Sequence, residues 1–187
     1  IFTNLFLVSI STIFLPKFVL FILLFIIITV IMPELPEVET VCRGLEDKIT
    51  NLVVKKVFIS NFNLRYSIPS NLEKSLLKNK VKAIVRRGKN GFFVLNSNNI
   101  INFHLGMTGK FKIEKTEYLP QKHDHLIIEF DNNTKLIYND IRKFGYILLK
   151  KKPFDIFNFN KIGCEPCLAS SFKEELLLKI MKRKTNI

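Results

Sequence analysis

The hydrophobic pattern of the chain changes character three times. Residues 1 to 31 are apolar almost throughout, interrupted only where Pro16 and Lys17 split the run. The clean stretch from Phe18 to Ile31 falls short of the roughly 20 residues that a bilayer span needs. It lacks the basic start and small-residue cleavage site of a signal peptide. The chain opens on Ile1, whereas Met32 begins the stretch MPELPEVET, so the leader reads as sequence upstream of the true start, with Met32 as initiator. The alternative is a membrane anchor.

From residue 36 the period becomes helical. Val38, Val41, Cys42, Leu45 and Ile49 recur at three- and four-residue steps, which predicts a helix over 36–48. Pro36 suits the first turn, and Glu34, Glu37 and Glu39 suit the positive end of the helix dipole. The period then shortens to that of strands: Val53 to Ile59, Val81 to Arg86, Phe92 to Leu95, Ile100 to Phe103, Lys110 to Ile113, Leu126 to Phe130, Lys135 to Tyr138 and Tyr146 to Leu149. Asn-rich clusters at 96–99 and 131–133 mark tight turns between them. Ser70-Asn71-Leu72-Glu73 has the form of a capping box, predicting a short helix to about Asn79. Many short strands with few helices over 32–152 indicate an antiparallel sandwich or barrel.

Past Lys152 the pattern changes again. Residues 153–170 read as a linker, and 171–184 place Phe172, Leu176, Leu177, Ile180 and Met181 on one helical face. A lone amphipathic helix cannot bury its own apolar face, so residues 171–187 read as the start of a truncated second domain.

Charge narrows the function classes. The leader holds one charge, Lys17; the remaining 156 residues carry 28 basic groups against 16 acidic ones, a net of +12. Such an excess is the footprint of a polyanion binder, because each neutralised phosphate releases condensed counterions. Three cysteines, Cys42, Cys164 and Cys167, are too few and odd in number for a secreted disulfide framework. Cys164 and Cys167 have the spacing of half a zinc knuckle, but no second pair accompanies them, and tetrahedral zinc needs four ligands. No metal site is assigned.

Candidate chemistry concentrates at residue 33. If Met32 is removed, Pro33 carries a free secondary amine. An α-amino group titrates at about 7.7 to 8.0, against about 10.4 for Lys, so far more of it is unprotonated at neutral pH. A chain terminus can therefore form a Schiff base. Glu34 beside it is a candidate general acid. Read alone, Pro33 and Glu34 equally serve as the start of a helix.

The stretch Met32-Pro33-Glu34-Leu35-Pro36-Glu37-Val38-Glu39-Thr40 resembles the amino-terminal signature of the formamidopyrimidine-DNA glycosylases. Four further blocks follow in that family's order: Arg86-Arg87-Gly88-Lys89, His104-Leu105-Gly106-Met107-Thr108-Gly109, Lys122-His123-Asp124-His125 and Asp140-Ile141-Arg142-Lys143-Phe144-Gly145. The run Lys182-Arg183-Lys184-Thr185-Asn186-Ile187 extends the resemblance to the end of the chain. It implies an α+β first domain over 32–152, an antiparallel β-sandwich flanked by helices, and base-excision repair of oxidised purines in duplex DNA, with glycosylase and lyase steps, by a cytoplasmic monomer associated with the nucleoid. Pro33 is implied as the nucleophile, Glu34 as the acid, and Lys89 as the residue of the elimination step. Glu37 is implied as a supporting acid, or else only as a helix starter. Met107, Arg142 and Phe144 are implied to fill the void left by a flipped base, and His123, Arg142 and Arg183 to contact DNA.

The resemblance also implies a helix-two-turn-helix module and a structural zinc finger beyond Ile187, so the fragment is expected to be weak or inactive, with no cofactor of its own. Two positions depart from the family's Asp-Pro-Arg-Arg-Phe-Gly: Ile141 removes a rigid proline, and Lys143 lacks the planar fork of Arg. The alternatives are the sister endonuclease VIII type, which acts on oxidised pyrimidines, and a non-catalytic DNA-binding or membrane-tethered protein. Leu35 and the His-Leu-Gly-Met-Thr-Gly block favour the first reading.

Overall fold

A computed structural model describes residues 34–115, 117–156 and 162. The leader, Met32, Pro33, Cys164, Cys167 and the segment 171–187 with Arg183, for which a further helix is expected, lie outside the described residues. Within them, helix α1 spans Leu35–Ile49 and helix α2 spans Leu72–Leu76. The eight strands are β1 (Val54–Ile59), β2 (Val81–Arg87), β3 (Asn90–Leu95), β4 (Asn99–His104), β5 (Lys110–Lys115), β6 (Asp124–Phe130), β7 (Thr134–Asn139) and β8 (Tyr146–Lys151). All pairings are antiparallel and form two four-stranded sheets, ordered β1-β6-β7-β5 and β2-β3-β4-β8. The predicted sandwich is the observed architecture.

One apolar core joins the sheets and both helices. Val38, Cys42, Leu45 and Ile49, the predicted stripe, are buried along α1, with Val41 partly buried against the same core. Phe93 and Phe103 from one sheet meet Phe111 and Tyr138 from the other, with ring centroids 4.8 to 5.8 Å apart in edge-to-face or tilted contacts. Burial of such aromatic surface is the main force holding two sheets face to face.

Two local expectations need correction. The short helix begins at Asn71 without a side-chain cap rather than at a Ser70 capping box, and it ends at Leu76 rather than near Asn79. Lys78 adopts φ +61, and its amide donates to the Val54 carbonyl, so pairing with the start of β1 captures the chain before another helical turn forms. Strand β3 begins at Asn90, two residues before its apolar run. A Cβ at Gly91 would lie 2.0 Å from the Phe103 ring, so this glycine marks a close approach of neighbouring strands.

Candidate active site

The site begins with the positioning of α1. Glu34 is its N-cap residue in extended conformation, and the Glu34 amide donates to Glu37 Oε2 at 3.0 Å. Glu37 thus takes the helix-start role and fixes the backbone at Glu34. One turn on, Glu39 Oε2 accepts from Arg86 Nε at 2.5 Å, and its Oε1 accepts from Arg43 Nε at 2.7 Å. The Arg86 side chain is only 7% exposed, so this bond clamps α1 to β2 in a largely dehydrated setting. The Arg86 hydrogen bond, against opposing burial and with help from Arg43, holds the Glu39 carboxyl below its usual range.

That clamp brings two distant motifs together. After β2, Gly88 takes φ +58 and turns the chain so that Lys89 comes back toward the helix start. Lys89 Nζ lies 2.6 Å from Glu34 Oε2, with side chains 39% and 53% exposed. An ion pair so open to water holds together weakly, so an arriving phosphate or sugar can separate its partners.

A cleft of about 620 Å³ is lined by Arg65, His104, Gly106, Met107, Arg142, Lys143 and Phe144. Two loops form most of it, and buried Asp140 ties them together. Thr108 Oγ1 donates to Asp140 Oδ1 at 2.5 Å, the Gly145 amide donates to Asp140 Oδ2 at 2.8 Å, and the Arg142 amide donates to Thr108 Oγ1 at 3.0 Å. Gly106 has φ +62, and a Cβ there would lie 2.5 Å from the Phe144 carbonyl carbon, so the loops touch through backbone. Met107, Arg142 and Phe144 are thereby brought to one cleft, as the sequence motifs imply. Phe144 is 45% exposed, and the Arg142 guanidinium sits 4.8 Å from its ring centroid. An exposed aromatic beside a cation is apolar enough to wedge and charged enough to meet a polyanion.

Other candidates fall elsewhere. His123 is not among the residues lining this cleft; its carbonyl accepts from the Asp140 amide at 3.0 Å, so it abuts the base of the Arg142 loop. Among the described residues, no three His, Cys, Asp or Glu are grouped to hold a metal ion. None of the helices among them is long and apolar enough to cross a membrane.

The cleft includes residues to which no role was assigned from the sequence. Arg65 lies in the segment between β1 and α2, and its amide donates to the Gly145 carbonyl at 3.1 Å. Nothing in the local sequence pairs it with residue 145. His104 accepts the Gly106 amide on Nδ1 at 2.9 Å. Burial, and then the charges of Arg65 and Lys89, lower its pKa, so the ring is neutral with its proton on Nε2. His104 is therefore a hydrogen-bond donor at the cleft wall. Its place in the His-Leu-Gly-Met-Thr-Gly block was the available signal.

Comparison with known proteins completes the description. The formamidopyrimidine-DNA glycosylase N-terminal domain model matches residues 32–147. A formamidopyrimidine-DNA glycosylase of Wolbachia sp. subsp. Brugia malayi is 39% identical over 157 residues, 83% of this chain and 58% of that protein. The Rickettsia bellii protein of the same name is 39% identical over 162 residues, again 83% and 58% of the two chains. Lactococcus lactis Fpg, solved in complex with DNA containing an abasic site, superposes with a TM-score of 0.59 at 34% identity, over 65% of this chain and 45% of that one. MutM in complex with DNA containing carbocyclic 8-oxo-G gives 0.59 at 35% identity, over 65% and 46%. The chain spans somewhat over half the length of the relatives it matches, and it belongs to the formamidopyrimidine-DNA glycosylase family.

Proposed function

We propose that this chain is the catalytic part of a base-excision enzyme that removes oxidised purines from duplex DNA through a Schiff base on Pro33. The observation that carries the reading is the Lys89–Glu34 contact of 2.6 Å, which brings a lysine and a carboxylate from separate motifs together at the residue that directly follows Pro33 in the chain. The cleft carrying Met107, Arg142 and Phe144 supplies the wedge that a flipped base requires.

The chemistry follows from the groups. With the chain beginning at Pro33, its nitrogen lone pair attacks deoxyribose C1′ and the bond to the base breaks, its electron pair leaving on the base, which takes up the proton shed by the proline nitrogen; the regained lone pair then opens the sugar ring to an iminium. Glu34 passes a proton from the Lys89 ammonium to the ring oxygen, which leaves Lys89 as the free amine. The resulting iminium acidifies the C2′ proton; its removal expels the 3′ phosphate by β-elimination, a proton transfer suited to Lys89 once Glu34 has left it. His104 Nε2, Arg65 and Lys143 face the DNA backbone as donors, and Arg142 faces the orphaned base. Any residue before Pro33 converts its nitrogen to an amide and abolishes the reaction. The second domain of the full-length relatives adds phosphate contacts, so this chain alone is expected to bind weakly.

The test is borohydride trapping on duplex DNA containing 8-oxoguanine or a preformed abasic site, at saturating DNA, with protein beginning at Pro33 and with the full chain. A covalent adduct from the Pro33 form on the abasic duplex, absent from the full chain, is the expected result. An adduct from the full chain, or none from the Pro33 form at saturation, overturns the terminal-amine mechanism. Thymine glycol in place of 8-oxoguanine distinguishes the pyrimidine-directed sister activity.

A further inference from the structure

Asn90, His104 and Tyr146 stand on adjacent strands and are paired in register, Asn90 with His104 and His104 with Tyr146. Directly opposed residues of a sheet point to the same face, so the three side chains share one rung. The Tyr146 ring lies over the His104 imidazole, 5.1 Å between centroids and 16° between planes. Its hydroxyl reaches across His104 to the second strand and donates to Asn90 Oδ1 at 2.6 Å. The same oxygen accepts from buried Asn102 Nδ2 at 3.3 Å, which anchors it to the interior.

We infer that Tyr146 is a positioning residue whose hydroxyl, latched to Asn90, fixes both the His104 ring at the cleft and the turn that carries Lys89. Three consequences of the geometry support this. Any turn of the imidazole about its Cβ–Cγ bond loses the Gly106 bond to Nδ1, and any turn short of a half-turn also loses the Tyr146 stack. The donor on Nε2 is therefore held toward one direction. Asn90 directly follows Lys89, so holding its side chain to β8 anchors the C-terminal side of the Gly88 turn, while the Arg86–Glu39 bond anchors the other side. Two groups from different strands are thus set by one hydroxyl. Arg65 and Lys89 are the charges that act on His104, and Tyr66, 5.5 Å from Tyr146 between ring centroids, closes the far side of the stack.

The substitution Tyr146→Phe keeps the ring over His104 and removes only the latch. The chain has three histidines, so ring-nitrogen NMR on the full chain resolves each. The parent should show His104 as a single tautomer with the proton on Nε2; Tyr146→Phe and Asn90→Leu should both show averaging between tautomers. Asn90→Asp, which retains the acceptor, should restore the parent pattern. A destabilised but otherwise ordinary sheet would not produce this selective rescue. Affinity for a duplex carrying a tetrahydrofuran abasic analogue should fall about threefold to tenfold in Tyr146→Phe, the effect of one lost hydrogen bond on placement. Parent-like His104 signals in both Tyr146→Phe and Asn90→Leu overturn the inference, as does averaging in Asn90→Asp equal to that in Asn90→Leu. The affinity arm rests on the DNA-binding reading above, whereas the NMR arm needs no DNA. If the parent shows no preference for the abasic analogue, that reading fails, and the ring signals still decide the latch.

Discussion

Asp140 offers the sharpest test of how the cleft is assembled. Its carboxylate accepts two bonds in a fully buried setting, from Thr108 Oγ1 and from the Gly145 amide. Hydrogen bonds to a charged partner contribute about 1.5–3 kcal/mol each, against about 0.5–1.5 for neutral pairs. Asp140→Asn keeps the shape but makes both bonds neutral and turns an amide NH₂ toward one of two donors. The expected loss is about 2 kcal/mol. In urea, with a slope of about 1–3 kcal/mol per M for a domain of this size, the midpoint should fall by about 1 M. Thr108→Val should cost about 1–2 kcal/mol, since Thr108 Oγ1 also accepts the Arg142 amide. Because the two residues share one bond, their double mutant should show a coupling of at least about 0.5 kcal/mol. Affinity for abasic-site duplex should fall with stability, because the same bonds hold together the loops that carry Met107 and Phe144. A midpoint within about 0.3 M of the parent refutes the structural role. A lowered midpoint with unchanged affinity refutes the claim that the tie shapes the DNA-facing wall.

Other expectations follow from single contacts. Glu39, held below the usual carboxylate range chiefly by Arg86, contributes stability that is present above the unfolded carboxylate pKa and is lost as pH falls through the depressed folded value. Glu39→Gln should therefore be less stable at pH 7 and show a flatter acid limb in denaturation between pH 5 and 2; an unchanged limb removes the clamp. Burial pushes the Cys42 thiol up to about 12, so peptide mapping after iodoacetamide at pH 8 should find Cys42 unmodified in the folded chain and modified in urea. Labelling of the folded chain at the urea rate contradicts its place in the core. Lys143 combines φ +60 with a side chain on the cleft, its ammonium 4.6 Å from the Phe62 ring centroid. Lys143→Gly should relieve about 1 kcal/mol of backbone strain, while the log–log salt slope of DNA binding falls by about one. Loss of both stability and slope would show that the cation–π contact outweighs the strain.

The sequence alone determined the succession of short strands and most of the stripe on α1, because alternation and helical spacing are local consequences of which face meets the core, and its motifs chose the sandwich through the family they resemble. It also delivered Glu34, Lys89, Met107, Arg142 and Phe144 as motif positions. What it did not carry was their company. Arg65 reaches the cleft through a bond to residue 145, and Glu39 meets Arg86 across 47 positions. Asp140 ties residue 108 to residue 145, and Tyr146 reaches Asn90 across an intervening strand. None of these pairs leaves a period or spacing in the chain, because each depends on strand register and on which loops the sheet brings side by side. Even the local misreadings had tertiary causes: the third strand starts before its apolar run, at Asn90, because Gly91 lets the Phe103 ring approach, and pairing of Lys78 with Val54 ended α2 early. Local pattern fixed which faces are buried, and long-range pairing decided which polar groups those faces bring into contact.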